Sequence, residues 1–93
     1  MLKRDKKEWT TIFKGLGNQN RLHILQLLAE TKKMSVTEIA DELEISFKNT
    51  SRNLAILRHL GLVEFEGKAD RVYYSLSSKF PDDVGKILDT SIF

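Results

Sequence analysis

One short segment of the chain concentrates hydrogen-bond donors and positive charge. Its members are Ser46, Lys48, Asn49, Ser51 and Arg52. Arginine and lysine pair with guanine edges in the DNA major groove and asparagine pairs with adenine, whereas serine hydroxyls suit phosphate oxygens. Residues 46–61 contain three Lys or Arg and no Asp or Glu, so no carboxylate there repels a polyanion. We expect Lys48, Asn49 and Arg52 to contact bases and the two serines to contact phosphates; the alternative is a solvated polar face.

Three further residues are candidates for the same surface. Phe47 either contacts a thymine methyl in the groove or folds back onto the neighbouring helix as part of the core. Lys68 and Arg71 flank the tip of a predicted β-hairpin, where they would reach the DNA backbone or the minor groove. Three carboxylates oppose that role for the hairpin, namely Glu64, Glu66 and Asp70.

The residues that catalysis or metal binding would require are missing or scattered. The chain has no cysteine, which excludes disulfides and thiolate metal sites. Its two histidines, His23 and His59, fall on separate predicted helices without ligand spacing, whereas zinc usually takes about three or four N or S ligands. No Ser-His-Asp or Cys-His arrangement is present. The sequence therefore predicts a protein that is not an enzyme and that holds no metal and no cofactor.

The cationic segment opens the second helix of a predicted helix-turn-helix, residues 35–60. Ser35 and Glu38 match a capping box at the start of a short amphipathic first helix. A turn of three or four residues around Ile45 leads to the second helix. The inward stripe of that helix is predicted to contain Thr50, Leu54, Leu57 and Leu60. A major groove about 12 Å wide admits one helix, and the first helix would brace the second across the turn.

A change of periodicity after Gly61 predicts a β-hairpin, the wing, at residues 62–76. Gly61 stands where a left-handed C-cap residue belongs. Its strands, residues 62–66 and 71–76, are rich in β-branched and aromatic residues, and a short loop at residues 67–70 joins them.

Amphipathic helices are predicted at both ends of the chain, at residues 5–16 and 81–91. An apolar central helix starts at Asn18 or Asn20 and ends at a polar turn, residues 30–33. Pro81 is expected at the first position of the last helix. Together these elements predict an α+β fold, mainly α: a winged helix-turn-helix with a two-stranded wing and an additional C-terminal helix.

Three segments of the sequence resemble the arsenic-repressor-like (ArsR-type) winged-helix family. Residues 17–28 are similar to the second helix of that family, residues 46–63 to its recognition helix and the entry to its wing, and residues 71–76 to its second wing strand. The resemblance implies a homodimer built from the first and last helices, and a transcriptional repressor acting at a palindromic operator in double-stranded DNA.

The apolar residues of the terminal helices agree with a dimer, because they exceed what a small fold easily covers. The predicted dimer interface consists of Trp9, Ile12, Phe13, Val84, Ile87 and Leu88. Trp9 is alternatively a plain core residue of the monomer. The chain departs from metal-sensing relatives, since the helix at residues 35–43 lacks cysteine and the last helix lacks histidine. An inducer would therefore be something other than a metal, or absent.

Length and composition place few other limits on function. The 93 residues fit one domain, and a formal net charge of +2 is weak evidence for any partner. A charged N-terminus and the lack of a long apolar run predict a cytoplasmic protein without a membrane segment. A winged-helix module that binds a protein or RNA is the competing prediction.

Overall fold

A computed structural model describes residues 4–89 of the chain, and within them it contains five helices and three strands. The helices are α1 (Lys6–Leu16), α2 (Gln19–Thr31), α3 (Val36–Leu43), α4 (Phe47–His59) and α5 (Asp82–Asp89). The strands are β1 (Lys33–Ser35), β2 (Val63–Lys68) and β3 (Arg71–Leu76). This arrangement confirms the predicted winged helix-turn-helix. The predicted last helix, residues 81–91, extends beyond the described residues.

Side-chain caps define where the first four helices begin. The caps are Asp5 for α1, Asn18 for α2, Ser35 for α3 and Ser46 for α4. The capping box predicted for α3 is present: the Glu38 N–H donates to Ser35 Oγ at 3.2 Å, and the Ser35 N–H donates to Glu38 Oε1 at 2.8 Å. Each cap satisfies an N–H group that has no partner within its own helix.

Two helices of the helix-turn-helix end in the same left-handed motif. At the end of α3, Glu44 has φ 57°, and the Ile45 N–H donates to the Ala40 carbonyl at 3.2 Å. At the end of α4, Gly61 has φ 78°, and the Leu62 N–H donates to the Leu57 carbonyl at 3.0 Å. Both bonds follow the Schellman pattern, which stops a helix and reverses the chain. The predicted role of Gly61 is confirmed, whereas Glu44 adopts a conformation that suits glycine.

The sheet has one strand more than the sequence predicted. β1 pairs antiparallel with β3, and β3 pairs antiparallel with β2, so the strand order is β1-β3-β2. The predicted two-stranded wing is present as β2 and β3, whereas the predicted polar turn over residues 30–33 is wrong at its end, because Lys33 begins β1. β1 forms because β3 offers a free edge to the short segment Lys33–Ser35, which begins directly after Lys32, the C-cap of α2. The hairpin loop is also shorter than predicted, since the strands pair as far as Lys68 and Arg71.

The core lies where α2, α3 and α4 meet the sheet. Its fully buried side chains include Ile24, Leu25, Ile39, Leu54 and Leu57. α1 also reaches α4, and Gly15 allows that approach because a Cβ at this position would stand 2.3 Å from Leu60 Cδ1. Packing against three elements fixes α4 from behind and leaves its other side for solvent.

The C-terminal helix is attached to the start of the chain. Asp83 at the beginning of α5 accepts from Arg4 Nε at 2.7 Å. This hydrogen bond is the main reason that the pKa of Asp83 lies below its ordinary value. Pro81 lies just before α5 rather than at its first position, and its carbonyl accepts from the Gly85 N–H at 2.9 Å.

Candidate nucleic-acid interface

The buried side of α4 is fixed by both apolar and polar contacts. Thr50, Leu54 and Leu57 are buried, as the sequence predicted, whereas Leu60 is only partly covered. Thr50 Oγ1 donates to the carbonyl of Ser46 at 2.9 Å, so a polar side chain is satisfied in the core. With this face occupied, Phe47, Lys48, Asn49 and Arg52 are exposed to solvent on the other side of the helix.

The predicted base and phosphate contacts share the outer surface of the first two turns of α4. Ser46, Lys48, Asn49 and Arg52 are exposed, and Ser51 is half-buried. Within residues 4–89 the ion pairs are Arg4–Asp83 and Lys33–Glu66, so neither Lys48 nor Arg52 is neutralised by a carboxylate. Ser46 Oγ accepts from the Asn49 N–H at 3.0 Å, which leaves the serine hydroxyl hydrogen free to donate outward. The segment therefore presents unpaired cations and donors at a helix N-terminus.

Phe47 is 58% exposed, so it is not the core residue that one of its two interpretations required. It lines a cleft of about 520 Å³ between the start of α4 and the wing. Phe65 and Tyr74 stack across the wing with ring centroids 5.5 Å apart and line the same cleft. Ser51 and Arg71 are among its polar members. An apolar contact surface thus adjoins the cationic one.

The wing places its two candidate cations directly opposite each other. Lys68 and Arg71 are paired across β2 and β3 at the hairpin tip, and both are exposed. The left-handed φ of Ala69, 58°, closes the turn between them. The wing lies close to the start of α3, because Arg71 lines the same cleft as Ser35 and Val36. Hydrogen bonds from Ser35 lower the pKa of Glu38, and the charge of Arg71 adds to that shift.

A second cationic surface flanks α4 on the side of α1. A groove of about 940 Å³ runs between the two helices, and no Asp or Glu lines it. Its basic lining residues are Lys14, Arg21, Arg52, Arg58 and His59. Arg52 thus belongs both to the recognition surface and to this groove, and it forms no ion pair within residues 4–89.

Sequence reasoning missed the polar network behind this surface. Asn53 is polar and lies among the early residues of α4, yet it is only 5% exposed. Its Oδ1 accepts from Arg21 Nη1 at 2.8 Å, and its Nδ2 donates to Asn49 Oδ1 at 3.0 Å. The available signal was its spacing: Asn53 is three residues after Thr50 and four before Leu57, on the inward face.

Comparison with known proteins identifies this architecture. The sequence pattern of the family described as "Bacterial regulatory protein, arsR family" matches residues 18–64. The chain is 36% identical to the arsenical resistance operon repressor of Escherichia coli over 84% of the chain and 67% of that protein. It is 40% identical to the transcriptional activator HlyU of Vibrio cholerae over 72% of the chain, a match that spans 61% of HlyU.

A solved structure gives the same result. The homodimeric winged helix-turn-helix DNA-binding domain of Mb0332 from Mycobacterium bovis superposes with a TM-score of 0.75 at 28% identity, covering 97% of this chain and 85% of the other. The chain belongs to the ArsR family. This membership confirms the resemblance found in residues 17–28, 46–63 and 71–76.

In this ArsR-family chain the predicted dimer residues divide into two groups. Ile12, Val84 and Leu88 are at most 4% exposed within the single chain, so their side chains already lie in its core. The prediction for these three is revised, because a partner would find them covered. Phe13 is 52% exposed and Ile87 is 39% exposed. Trp9 is partly buried against the core and stacks on Phe13 at a centroid distance of 5.5 Å.

Among residues 4–89, no group of three or more His, Cys, Asp or Glu side chains is placed to hold a metal ion. None of the helices in that range is long and apolar enough to span a bilayer.

Proposed function

We propose that this protein is a homodimeric transcriptional repressor that binds a palindromic operator in double-stranded DNA. The observation that carries the proposal is the exposed set of Lys48, Asn49 and Arg52 on the first two turns of a braced helix, in which neither cation has a carboxylate partner within residues 4–89. A helix with this surface enters the major groove N-terminus first. Lys48, Asn49 and Arg52 then meet base edges, while Ser46 and Ser51 donate to phosphates.

The wing supplies the second point of contact in this proposal. Lys68 and Arg71 extend from the hairpin tip and reach the backbone or the minor groove beside the major-groove site. Phe47 supplies an apolar contact for a thymine methyl, which its exposure permits. Base contacts determine the sequence that is bound, and the wing fixes the position of the domain on the duplex.

Dimerisation would double this surface. Two recognition helices related by a two-fold axis read half-sites separated by about 34 Å, one turn of DNA, which makes the operator palindromic. Trp9, Phe13 and Ile87 form the apolar surface that the proposed dimer buries. Occupancy of an operator by such a dimer is enough to block transcription, so repression needs no catalytic step. The proposed action is binding rather than catalysis, and it takes place in the cytoplasm, where the DNA lies.

Selection of bound duplexes from a random pool tests the proposal most directly. We expect enriched sequences to contain two inverted half-sites and their affinity to fall steeply with salt, because bound phosphates release counterions. The proposal fails if no sequence is enriched, and its dimeric part fails if single half-sites bind as tightly as paired ones.

A protein-docking module is the second candidate, and one observation favours it. Phe47, Phe65 and Val72 are large apolar side chains that are 58%, 47% and 39% exposed around one cleft. Exposed apolar patches mark interaction surfaces. Salt separates the two functions, because an apolar protein interface changes little with ionic strength while DNA binding weakens strongly.

A further inference from the structure

A continuous chain of hydrogen bonds leads from α1 through the core to the recognition surface. Arg21 Nε and Nη2 donate to the carbonyls of Gly15 and Lys14 at the end of α1. Arg21 Nη1 donates to Asn53 Oδ1 at 2.8 Å. Asn53 Nδ2 donates in turn to the carbonyl of Asn49 at 3.1 Å and to Asn49 Oδ1 at 3.0 Å.

The chemistry of arginine determines which atoms donate and which accept in this series of hydrogen bonds. A guanidinium has donors and no acceptor, so only the oxygen of the Asn53 amide can face Arg21. The amide nitrogen of Asn53 must then face Asn49 and donate to it. Asn49 therefore directs its side-chain oxygen inward, and its Nδ2 is left as the outward group. Nothing else among residues 4–89 accepts from that nitrogen, and Asn49 is exposed to solvent.

We propose that Arg21 and Asn53 are positioning residues that hold Asn49 with its N–H donors toward DNA, so that this position reads acceptor edges and rejects cytosine. Guanine presents two acceptors in the major groove, N7 and O6, whereas cytosine presents the N4 amino donor. A donor facing a donor leaves both groups unsatisfied. An asparagine free to rotate would accept from cytosine as readily as it donates to guanine.

This inference rests on the proposed DNA binding, and it specifies that the protein presents hydrogen-bond donors to one base. It also connects the recognition surface to α1, because the same guanidinium that orients Asn53 is held by two carbonyls of that helix. A shift of α1 would therefore reach Asn49 through side chains that are already hydrogen-bonded.

The test is Asn53→Asp, which keeps the side-chain shape and the partner of Arg21 but removes the donor. A carboxylate only accepts hydrogen bonds, so Asn49 must turn its nitrogen inward and present its oxygen to DNA. The base position is first located with Asn49→Ala, and affinities are then measured for duplexes with guanine or cytosine there. We expect about a tenfold preference for guanine in the wild-type protein, as for one unsatisfied buried donor, and a reversed preference in Asn53→Asp.

The controls separate positioning from folding. In the Asn49→Ala background, Asn53→Asp must leave the guanine-to-cytosine ratio unchanged, although its added negative charge lowers affinity for every duplex. An unchanged ratio in Asn53→Asp alone, with only a uniform loss of affinity or a lower melting temperature, overturns the proposal.

A measurement on the wild-type protein covers the case in which the variant does not fold. In side-chain amide NMR, we expect the Asn53 NH₂ protons to exchange slowly with water and the Asn49 NH₂ protons to exchange fast. The opposite pattern overturns the network without any DNA. If no duplex is bound at all, the proposed function fails, and this exchange measurement still decides the orientation of the amides.

Discussion

Three arginines near α4 show how the partner of a residue determines its role. The guanidinium of Arg21 donates to Gly15, Lys14 and Asn53 in the network that ends at Asn49. Arg58 lies over the ring of Phe65, 4.8 Å from the ring centroid, and so helps to join α4 to the wing. Arg52 has neither an ion pair nor an aromatic partner within residues 4–89. All three keep their charge, but Arg52 is the one whose guanidinium no ion pair or aromatic ring within residues 4–89 holds in place, so its side chain is free to turn toward a base.

Arg52→Ala should weaken operator binding by about 1–3 kcal/mol and relax the preference at one base position, because a bidentate base contact is lost. Affinities for the selected operator and a scrambled duplex, measured at the same salt concentration, check both parts. Lys79→Ala, which removes an exposed cation outside the site, is the matched control and should leave both affinities unchanged. If Arg52→Ala binds the operator as tightly as the wild type does, and the scrambled duplex as tightly as the wild type does, Arg52 does not contact a base.

Glu44→Gly should raise the free energy of unfolding by about 1 kcal/mol. Glu44 holds a left-handed φ of 57° that glycine adopts without the clash of a Cβ. Glu42→Gly is the matched control: the same substitution inside α3 should lower stability by about 1 kcal/mol, since glycine is a poor helix former. Urea unfolding of both variants measures the change in the free energy of unfolding relative to the wild type. A lower free energy of unfolding in Glu44→Gly would show that the turn does not strain this residue.

At the level of the element, the capping box of α3 makes a local contribution to stability. Ser35→Ala removes the acceptor for the Glu38 N–H and should lower the free energy of unfolding by about 1 kcal/mol. It should also raise the pKa of Glu38 part of the way toward its ordinary value, because the hydrogen bond of the Ser35 side chain is lost while the larger cause, the hydrogen bond from the backbone N–H of residue 35, remains. NMR titration of the Glu38 carboxyl checks the shift. Unchanged stability together with an unchanged pKa in Ser35→Ala would mean that the Ser35 side chain does not cap α3 in solution.

Elements that local patterns specify were predictable from the sequence. The bounds of α3 and α4 follow from Ser35, Ser46 and the apolar spacing behind them, and all of these are local signals. β1 was missed because three residues carry no readable alternation, and the strand exists only through its pairing with β3, about forty residues later. The burial of Asn53 could not be predicted for a related reason: the residue is polar, and the partner of its Oδ1 in the core is Arg21, 32 residues away in the sequence.

For the whole molecule, the pair formed by Arg4 and Asp83 connects the two ends of the described chain. The pKa of Asp83 lies below the ordinary 3.8, mainly because of the hydrogen bond from Arg4. A lowered carboxyl pKa stabilises the folded state above the ordinary pKa, and that contribution is lost as the pH falls through the lowered value.

We therefore expect Asp83→Asn to be less stable than the wild type at neutral pH by up to about 1 kcal/mol, the range of a solvent-exposed pair. The difference should shrink as the pH falls below 3.8. Urea unfolding of both proteins from pH 7 down to about pH 2 measures it. A difference that stays constant over this range would show that the ion pair is not its source.

The assembly depends on the apolar residues that the single chain leaves uncovered. Phe13→Ser should weaken the proposed homodimer while the monomer keeps its fold, because Phe13 is 52% exposed and contributes little to the core. Phe65→Ser is the matched control: Phe65 is 47% exposed on the wing, away from the terminal helices, and the dimer should persist. Light scattering over a range of protein concentrations measures both.

Since paired half-sites need two linked recognition helices, Phe13→Ser should also bind the palindrome no better than one half-site. If both variants dimerise equally, or the wild type is a monomer at every concentration, the symmetric operator loses its physical basis.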